Sequence, residues 1–361
     1  LGTNHTALTA GEVRGPEPLL WIETEPFRLG CSLPAMKAKV REPWGKEWRK
    51  RLDSELAVMR KRFPSLKKGI KTVDPWLRAH LYAYRLEQLY VEVLEVLQKP
   101  ADWFPQVGEK HSANNVKGFP GLGPHMGMSE KFVVLLLQKA SSHARYTGAF
   151  HGHEVEEPQR YHDVAFCSMY WGASQESANS LYKIDYALHT NLVFNVAHNL
   201  YSCFRSYGHD LPPWLVTGLA HSHARRISPR FPTYDRKTDD EVNDRSGFWD
   251  WDKLVKGLVK NKAFEPLEDL VSRDNAGAFG IEQHMQSWAV AEFLRETRPK
   301  QLATFLHDLK GPFYGRLRIP SQEDLGRRQS ESFPKAFGCS YQELDAEWRK
   351  YALKRKRRRK R

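Results

Sequence analysis

Residues 189–226 constrain the fold of this 361-residue chain most strongly, because they predict two helices that meet at a sharp corner. The corner is the run Asp-Leu-Pro-Pro at 210–213. In the first predicted helix, apolar residues recur every four positions opposite a stripe of polar residues, which is typical of a helix with two distinct faces. The apolar stripe is Leu188, Leu192, Val196, Leu200 and Phe204, and the polar stripe is Asn191, Asn195, His198, Ser202 and Arg205.

The second predicted helix begins at the corner itself. Asp210 is predicted to cap it, and the two prolines fit its first turn, where a backbone amide is unbonded anyway. Trp214, Leu215 and Leu219 supply its apolar surface. Two helices joined in this way bring polar side chains from both within reach of one another, so we expect the functional site here.

The sequences of both predicted helices resemble a known pair. V-A-H-N-L-Y-S at 196–202 and L-P-P-W-L-V-T-G-L-A at 211–220 are similar to the active-site helices of gluzincin metallopeptidases, which carry H-E-x-x-H on the first helix and W-L-x-E-G-x-A on the second. A catalytic zinc needs two imidazoles one helical turn apart, a third ligand from a neighbouring helix, and a carboxylate to take a proton from the bound water.

Carried over position by position, the resemblance shows how little of that site this chain retains. His198 matches the first ligand, whereas Asn199 replaces the general base, Ser202 the second ligand and Thr217 the third. His221 lies one turn after Thr217 and points toward the same ancestral site, but it does not complete a ligand set. The resemblance therefore implies a retained scaffold that has lost its zinc, with no catalytic residue, no metal and no cofactor.

The predicted function is that of a catalytically inactive metallopeptidase-like protein, a pseudoenzyme with a binding or structural role. Its partner would be a protein or peptide in the former substrate cleft. One alternative is a hydrolase with a remodelled site that uses Cys203 or Ser202 with His198. Another is a polyanion-binding protein that acts through its C-terminal end. The resemblance also implies export, for example to a periplasm.

The C-terminal end dominates the charge of the chain. The formal net charge is +13, and removing the last eight residues, which are all basic, leaves +5. A block of like charges repels itself, so these residues are predicted to be disordered and to attract polyanions. The predicted polyanion-binding residues are Lys354, Arg355, Lys356, Arg357, Arg358, Arg359, Lys360 and Arg361.

The pattern along the rest of the chain predicts an α+β fold, with a small mixed β-sheet subdomain followed by a predominantly helical gluzincin-like subdomain. An alternating stretch at 19–30 predicts an N-terminal strand, and two amphipathic helices follow it, the second opening at Asp74-Pro75. Apolar runs at 132–138 and 164–171 predict buried strands, with a helix at 141–147 between them. The predicted division is an accessory region at 1–98, a linker or loop at 99–128, the degenerate gluzincin-like domain at 129–353 and the tail at 354–361.

Several further features of the sequence have less weight. The loop at 150–162 is rich in histidine and glutamate, and the loop at 228–252 is rich in aspartate, but neither has metal-ligand spacing, so both are interpreted as polar loops. The C-terminal region predicts helices at 284–295, 299–309 and 341–353. No apolar run approaches the roughly 20 residues that span a bilayer. The four scattered cysteines are predicted to be buried free thiols, although two disulfides remain an alternative.

Overall fold

A computed structural model describes residues 19–39, 42–104, 123–163, 168–206, 209–231, 250–311 and 320–355. The chain divides into two compact units. The first comprises Leu1–Tyr90 and Glu130–His189, and the second Val91–Ser129 and Thr190–Arg361. Helices and mixed sheet occur together, which confirms the predicted α+β class.

The described residues contain seven strands and eleven α-helices. The strands are β1 (Leu20–Glu23), β2 (Phe27–Cys31), β3 (Met36–Lys37), β4 (Thr72–Val73), β5 (Phe132–Leu137), β6 (Gln159–Asp163) and β7 (Ser168–Ser174). The helices are α1 (Gly45–Arg62), α2 (Pro75–Leu97), α3 (Ala140–His151), α4 (Asp185–Cys203), α5 (Pro213–Ile227), α6 (Trp251–Lys260), α7 (Leu267–Ser272), α8 (Ile281–Thr297), α9 (Pro299–Leu309), α10 (Gln322–Phe337) and α11 (Tyr341–Lys354).

The main sheet lies in the first unit and has the strand order β1-β2-β5-β7-β6. β2, β5 and β7 run parallel, while β1 and β6 are antiparallel edge strands. Every residue of β5 is buried, which is what a continuous apolar run in the middle of a parallel sheet requires. The buried strand predicted at 132–138 is therefore confirmed. The strand predicted at 164–171 lies at 168–174, and residues 164–167 are outside the described ranges.

Two predictions about strands were wrong. Residues 19–30 form a hairpin of two strands instead of one, because Thr24 and Phe27 close a turn through Glu25 and Pro26. The Thr24 amide donates to the Phe27 carbonyl at 2.9 Å, and the Phe27 amide donates to Thr24 Oγ1 at 3.2 Å. The loop predicted at 150–162 ends in the edge strand β6. Its polar sequence QRYHD, in which Arg160 and Tyr161 are exposed, lacks the apolar alternation that would have identified it as a strand.

The two predicted N-terminal helices are present. α1 buries Trp48, Leu52, Leu56 and Met59 at the spacing of one helical face. α2 begins at Pro75, and the Asp74 carboxylate accepts a hydrogen bond from the Leu77 amide at 2.8 Å, so the predicted cap and first-turn proline are confirmed.

A buried charge network joins three helices of the first unit. Asp185, the first residue of α4, accepts from Tyr82 Oη at 2.8 Å and from Trp48 Nε1 at 3.1 Å. The Arg85 guanidinium lies 3.1 Å from Asp185 and 2.9 Å from Glu55. Burial raises the pKa of Asp185, but the Arg85 and Arg78 guanidinium groups outweigh that effect and keep the pKa below its usual value. Asp185 is therefore a buried, compensated anion.

The second unit is helical in the residues described, and α8 lies at its core. The largest buried residues of α8 include Trp288 and Phe293. α11 opens with the predicted capping box, in which Ser340 accepts from the Glu343 amide and the Glu343 carboxylate accepts from the Ser340 amide. α9 spans the residues predicted for it, and α8 extends a few residues beyond its predicted bounds at both ends.

Three of the cysteines are described and all are free thiols, Cys31 and Cys203 buried and Cys339 partly buried. Cys167 lies outside the described residues. Among the described helices, none combines the length and apolarity needed to cross a membrane.

Candidate functional site

The helix α4 carries the residues that the sequence placed at the ancestral zinc site. Eighteen of its 19 residues are buried, and His198 is the one that is partly exposed. Most of the predicted polar stripe is therefore buried too: Asn191 and Asn195 are 1% and 3% exposed. Asn195 Nδ2 donates to Asn191 Oδ1 at 2.8 Å, which pairs the two amide groups inside the protein. The helix α4 is therefore buried on all sides, and His198 is its one point of contact with solvent.

The structure brings two of the four ancestral positions together. Ser202 Oγ lies 3.4 Å from His198 Nδ1, because residues four apart share one face of a helix. Ser202 is 2% exposed and Asn199 is 6% exposed. An amide at 199 cannot accept a proton from water as a carboxylate does, and a hydroxyl at 202 is a weak zinc ligand beside an imidazole.

The second helix of the motif, α5, begins later than predicted. Its N-cap is Pro212, Pro213 is its first residue, and no side chain caps it, so the prediction that Asp210 caps this helix was wrong. A proline at the first position removes one of the four amides that are unbonded at this end of a helix. Trp214 and Leu215 are fully buried, as predicted. Thr217, at the third-ligand position, is 2% exposed.

His221 is the polar centre of the contact between α5 and its neighbours. Its ring lies against Phe194 of α4 at a centroid distance of 4.6 Å, and its Nε2 lies 3.0 Å from His284 Nδ1 on α8. Burial lowers the pKa of His221 far below its usual value, and the nearby His284, Arg225 and His198 lower it further. His221 is therefore neutral at physiological pH, and its Nε2 is already engaged by a protein group.

A second histidine of α5 forms a hydrogen-bonded chain. Tyr201 Oη lies 2.9 Å from His223 Nε2, and His223 Nδ1 lies 3.0 Å from Glu92 Oε2. An ionised carboxylate only accepts hydrogen bonds, so Nδ1 donates to Glu92 and Nε2 accepts from the Tyr201 hydroxyl. Burial lowers the pKa of His223 to about 4, which keeps the ring neutral at physiological pH.

Close backbone packing holds α5 in place. A Cβ added to Gly218 would lie 2.2 Å from the Ser287 carbonyl oxygen and 3.0 Å from the Ala291 side chain on α8. Gly218 therefore lets the two helices approach more closely than any other residue at this position would allow. The G-x-A part of the motif has a packing role that is independent of zinc.

The residues at the ancestral positions do not fit a zinc ion. The donor set is one imidazole, one amide and two hydroxyls, where zinc sites use imidazoles, thiolates and carboxylates. Among the described residues, no group of three or more His, Cys, Asp or Glu side chains is arranged to hold a metal ion. In the histidine-rich loop, His151 packs against Tyr161 and Tyr170 at centroid distances of 4.4 and 4.9 Å. Most of the acidic loop at 228–252 lies outside the described residues.

The nucleophiles considered for a remodelled hydrolase lie inside the protein. Cys203 is fully buried, and its Sγ lies 3.1 Å from the Leu200 carbonyl oxygen. Burial raises the pKa of the Cys203 thiol, and a thiol with a raised pKa is a poor nucleophile because the thiolate is the reactive form. Ser202 has the His198 ring beside it but is itself 2% exposed.

Sequence reasoning missed Lys310, which follows α9 and is fully buried. Its Nζ donates to the Ser202 carbonyl at 2.6 Å and also to the His209 carbonyl. Burial lowers the pKa of Lys310 to about 8, against the opposing effect of Asp210. A cation at the last turn of α4 satisfies its unbonded carbonyls and complements the helix dipole. Nothing in the sequence distinguishes this lysine from the chain's many exposed ones.

The start of the predicted tail differs from the prediction. Lys354 is the last residue of α11, and Arg355 lies 2.7 Å from the buried Glu292 carboxylate and 3.6 Å from Asp252. The disorder predicted for these two residues was therefore wrong, because a buried carboxylate on α8 holds the guanidinium. The Ser222 hydroxyl donates to the same carboxylate. Residues 356–361 lie outside the described ranges, so their polyanion binding stays a prediction.

No family model matches the chain. A search of curated proteins likewise finds no match.

Proposed function

We propose that this chain is a catalytically inactive gluzincin-like protein with a binding or structural role. The observation that carries the proposal is the exposure of α4, which is buried along its whole length except at His198. A catalytic zinc has to be reached by solvent and substrate, and His198, at the first-ligand position, is the one residue of α4 that is partly exposed. It is combined here with residues that cannot complete the site.

The chemistry at the remaining positions supports a binding role over hydrolysis. Asn199, Ser202 and Thr217 are neutral and buried, so they provide neither a proton acceptor nor metal ligands of the usual kind. Two of the surrounding histidines, His221 and His223, are engaged by His284, Tyr201 and Glu92. These two histidines therefore belong to buried hydrogen-bond networks, which is the behaviour of structural polar residues.

The proposed partner is a protein or peptide that contacts the surface at His198. A partly exposed imidazole can donate or accept hydrogen bonds with backbone groups of an extended peptide, and Ser202 Oγ, 3.4 Å away, holds its ring from behind. Binding without a metal at this position would depend on shape and on hydrogen bonds.

Two measurements on the purified protein test the absence of catalysis. Elemental analysis should find zinc far below one ion per chain, and cleavage of a peptide library should be unaffected by a chelator. One tightly held zinc per chain, or hydrolysis that chelation abolishes and His198→Ala removes, would contradict the proposal.

Peptide binding tests the proposed role separately. Fluorescence anisotropy with a degenerate extended-peptide library should show saturable binding that His198→Trp weakens at least tenfold, because the larger indole changes the shape of this surface and has no hydrogen-bond acceptor. His80→Trp, on the first unit, is the matched control and should leave binding unchanged. Equal binding by the wild-type protein and the His198 variant would exclude this surface as the binding site.

A further inference from the structure

The first unit carries an open groove of about 670 Å³ along the N-terminal half of α1. Small residues, Ala38, Gly45 and Ala57, lie in its lining. The lysines Lys39, Lys46 and Lys50 also line the groove and are exposed. A thin molecule could therefore approach the backbone closely while ammonium groups flank it.

The sequence segment that contains the groove-lining residues is strongly basic. Residues 36–73 contain 13 lysines and arginines and four aspartates and glutamates, a net charge of +9 in 38 residues. The last eight residues carry +8, and the whole chain carries +13, so all the remaining residues together carry −4. The positive charge of this segment is therefore a local feature, which the average over the body of the chain conceals.

Arg49 fixes the shape of the groove. Its Nη1 donates to the Ala38 and Ile70 carbonyls at 2.6 and 2.9 Å, which ties α1 to the two segments that form the β3–β4 ladder. Its guanidinium also pairs with Asp53 at 2.8 Å, so its charge is compensated. The net positive charge of the groove therefore comes from Lys39, Lys46 and Lys50.

We propose that this groove binds single-stranded nucleic acid through its phosphates. Lys46 and Lys50 lie one turn apart on the same face of α1, and Lys61 continues that face toward its end. A line of cations along an open channel suits a thin chain that carries a charge on each unit. A flat membrane surface would meet the rim of the groove without entering it. This inference is independent of the function proposed for the second unit.

The test is fluorescence anisotropy of the full-length protein with labelled oligothymidylate over a range of salt concentrations. The groove variant is Lys39→Gln/Lys46→Gln/Lys50→Gln. The control is Lys300→Gln/Lys335→Gln/Lys350→Gln, which removes the same charge from exposed positions on the second unit. Loss of three phosphate contacts should reduce the slope of log affinity against log salt by about 2 and weaken binding roughly 100-fold at about 0.1 M salt. The control should change neither quantity, and replacing the groove lysines with arginine should restore binding.

Equal losses in the two triple variants would overturn the assignment to the groove, and circular dichroism would show that both remain folded. A sulfated glycan that displaces the oligonucleotide at a lower charge concentration than unlabelled oligothymidylate would overturn the choice of nucleic acid. The choice of nucleic acid would also be overturned if the groove variant lost binding to vesicles of phosphatidylcholine and phosphatidylserine but bound the oligonucleotide as the wild-type protein does.

Discussion

The two ends of α4 bury polar residues in different ways. Its first residue, Asp185, is an anion compensated by Arg85 and by donors from Tyr82 and Trp48. Its later part buries the amides of Asn191 and Asn195, which bond to each other, and it reaches solvent at His198. Near its last turn the Lys310 ammonium donates to the Ser202 carbonyl. The first end therefore depends on ion pairs between side chains, whereas the later part depends on neutral side-chain hydrogen bonds, close helix packing and one cation bound to a backbone carbonyl.

On a single helix, this difference distinguishes buried polar residues that stabilise the fold from those at the candidate site. An ion pair in the interior needs all of its partners, since removing one leaves an uncompensated charge. A neutral network tolerates substitution more easily, because it loses hydrogen bonds and leaves no charge behind. Residues at the His198 end can thus change while the Asp185 end keeps the scaffold folded, as the proposed function requires.

The largest expected effect is at the charged end. Arg85→Met should lower the free energy of unfolding by about 3–5 kcal/mol, because the buried carboxylates of Asp185 and Glu55 lose their shared cation. Urea unfolding followed by circular dichroism measures the change. Glu87→Gln, which removes the exposed ion pair with Arg62, is the control and should cost less than about 1 kcal/mol. If Arg85→Met lowered the free energy of unfolding by no more than the control does, ion pairing would not be what stabilises the Asp185 end of α4.

The pH dependence of stability tests the neutral end. The pKa of His223 in the folded protein is about 4, below the roughly 6.5 of an unfolded histidine. Between these values the unfolded chain binds a proton that the folded protein does not, so stability is lost as the pH falls from about 6.5 to about 4.

His223→Gln should remove roughly 2–3 kcal/mol of that loss, although it also makes the protein less stable at pH 7. Urea unfolding at several pH values gives the comparison, and His153→Gln, at an exposed position, is the matched control. An unchanged pH profile in the His223 variant would show that folding does not lower the pKa of this ring.

Close packing of α5 against α8 gives a third contrast. Gly218→Ala should destabilise the protein by about 1–3 kcal/mol, because its Cβ would overlap the Ser287 carbonyl. Gly257→Ala in α6 has no atom within 4 Å of the added Cβ and should stabilise by about 0.5–1 kcal/mol through helix propensity. Thermal unfolding of the two variants should therefore show shifts of opposite sign. Shifts of the same sign would contradict the close approach of these helices.

The sequence predicted those elements whose signals are local. The Asp74-Pro75 start of α2 and the capping box at Ser340 each depend on residues three or four positions apart, and the buried run of β5 is continuous. The exposed strand β6 was missed because its pairing with β7 is set by the sheet and leaves no apolar alternation in its own residues.

Long-range partners were not predictable from local patterns. Asp185 and Arg85 are 100 residues apart, and Lys310 reaches a carbonyl 108 residues away. No spacing within a helix indicates such pairs. For the candidate site, the sequence placed His198 and Ser202 on one face, and the structure added His284 and Glu92, which lie on elements that the motif does not include.

The central claim is that α4 and α5 retain the geometry of a gluzincin helix pair, and zinc titration of a rebuilt site tests it most directly. Asn199→Glu/Ser202→His/Thr217→Glu should bind zinc with roughly micromolar or tighter affinity, because two imidazoles on α4 and one carboxylate on α5 would surround one ion. Ser202→His/Thr217→Glu keeps Asn199 and serves as a second variant if the triple one folds poorly. Isothermal titration should show one site per chain, abolished by His198→Ala. A folded variant that binds no zinc, or binds it equally well without His198, would contradict the helix pairing and the function proposed from it.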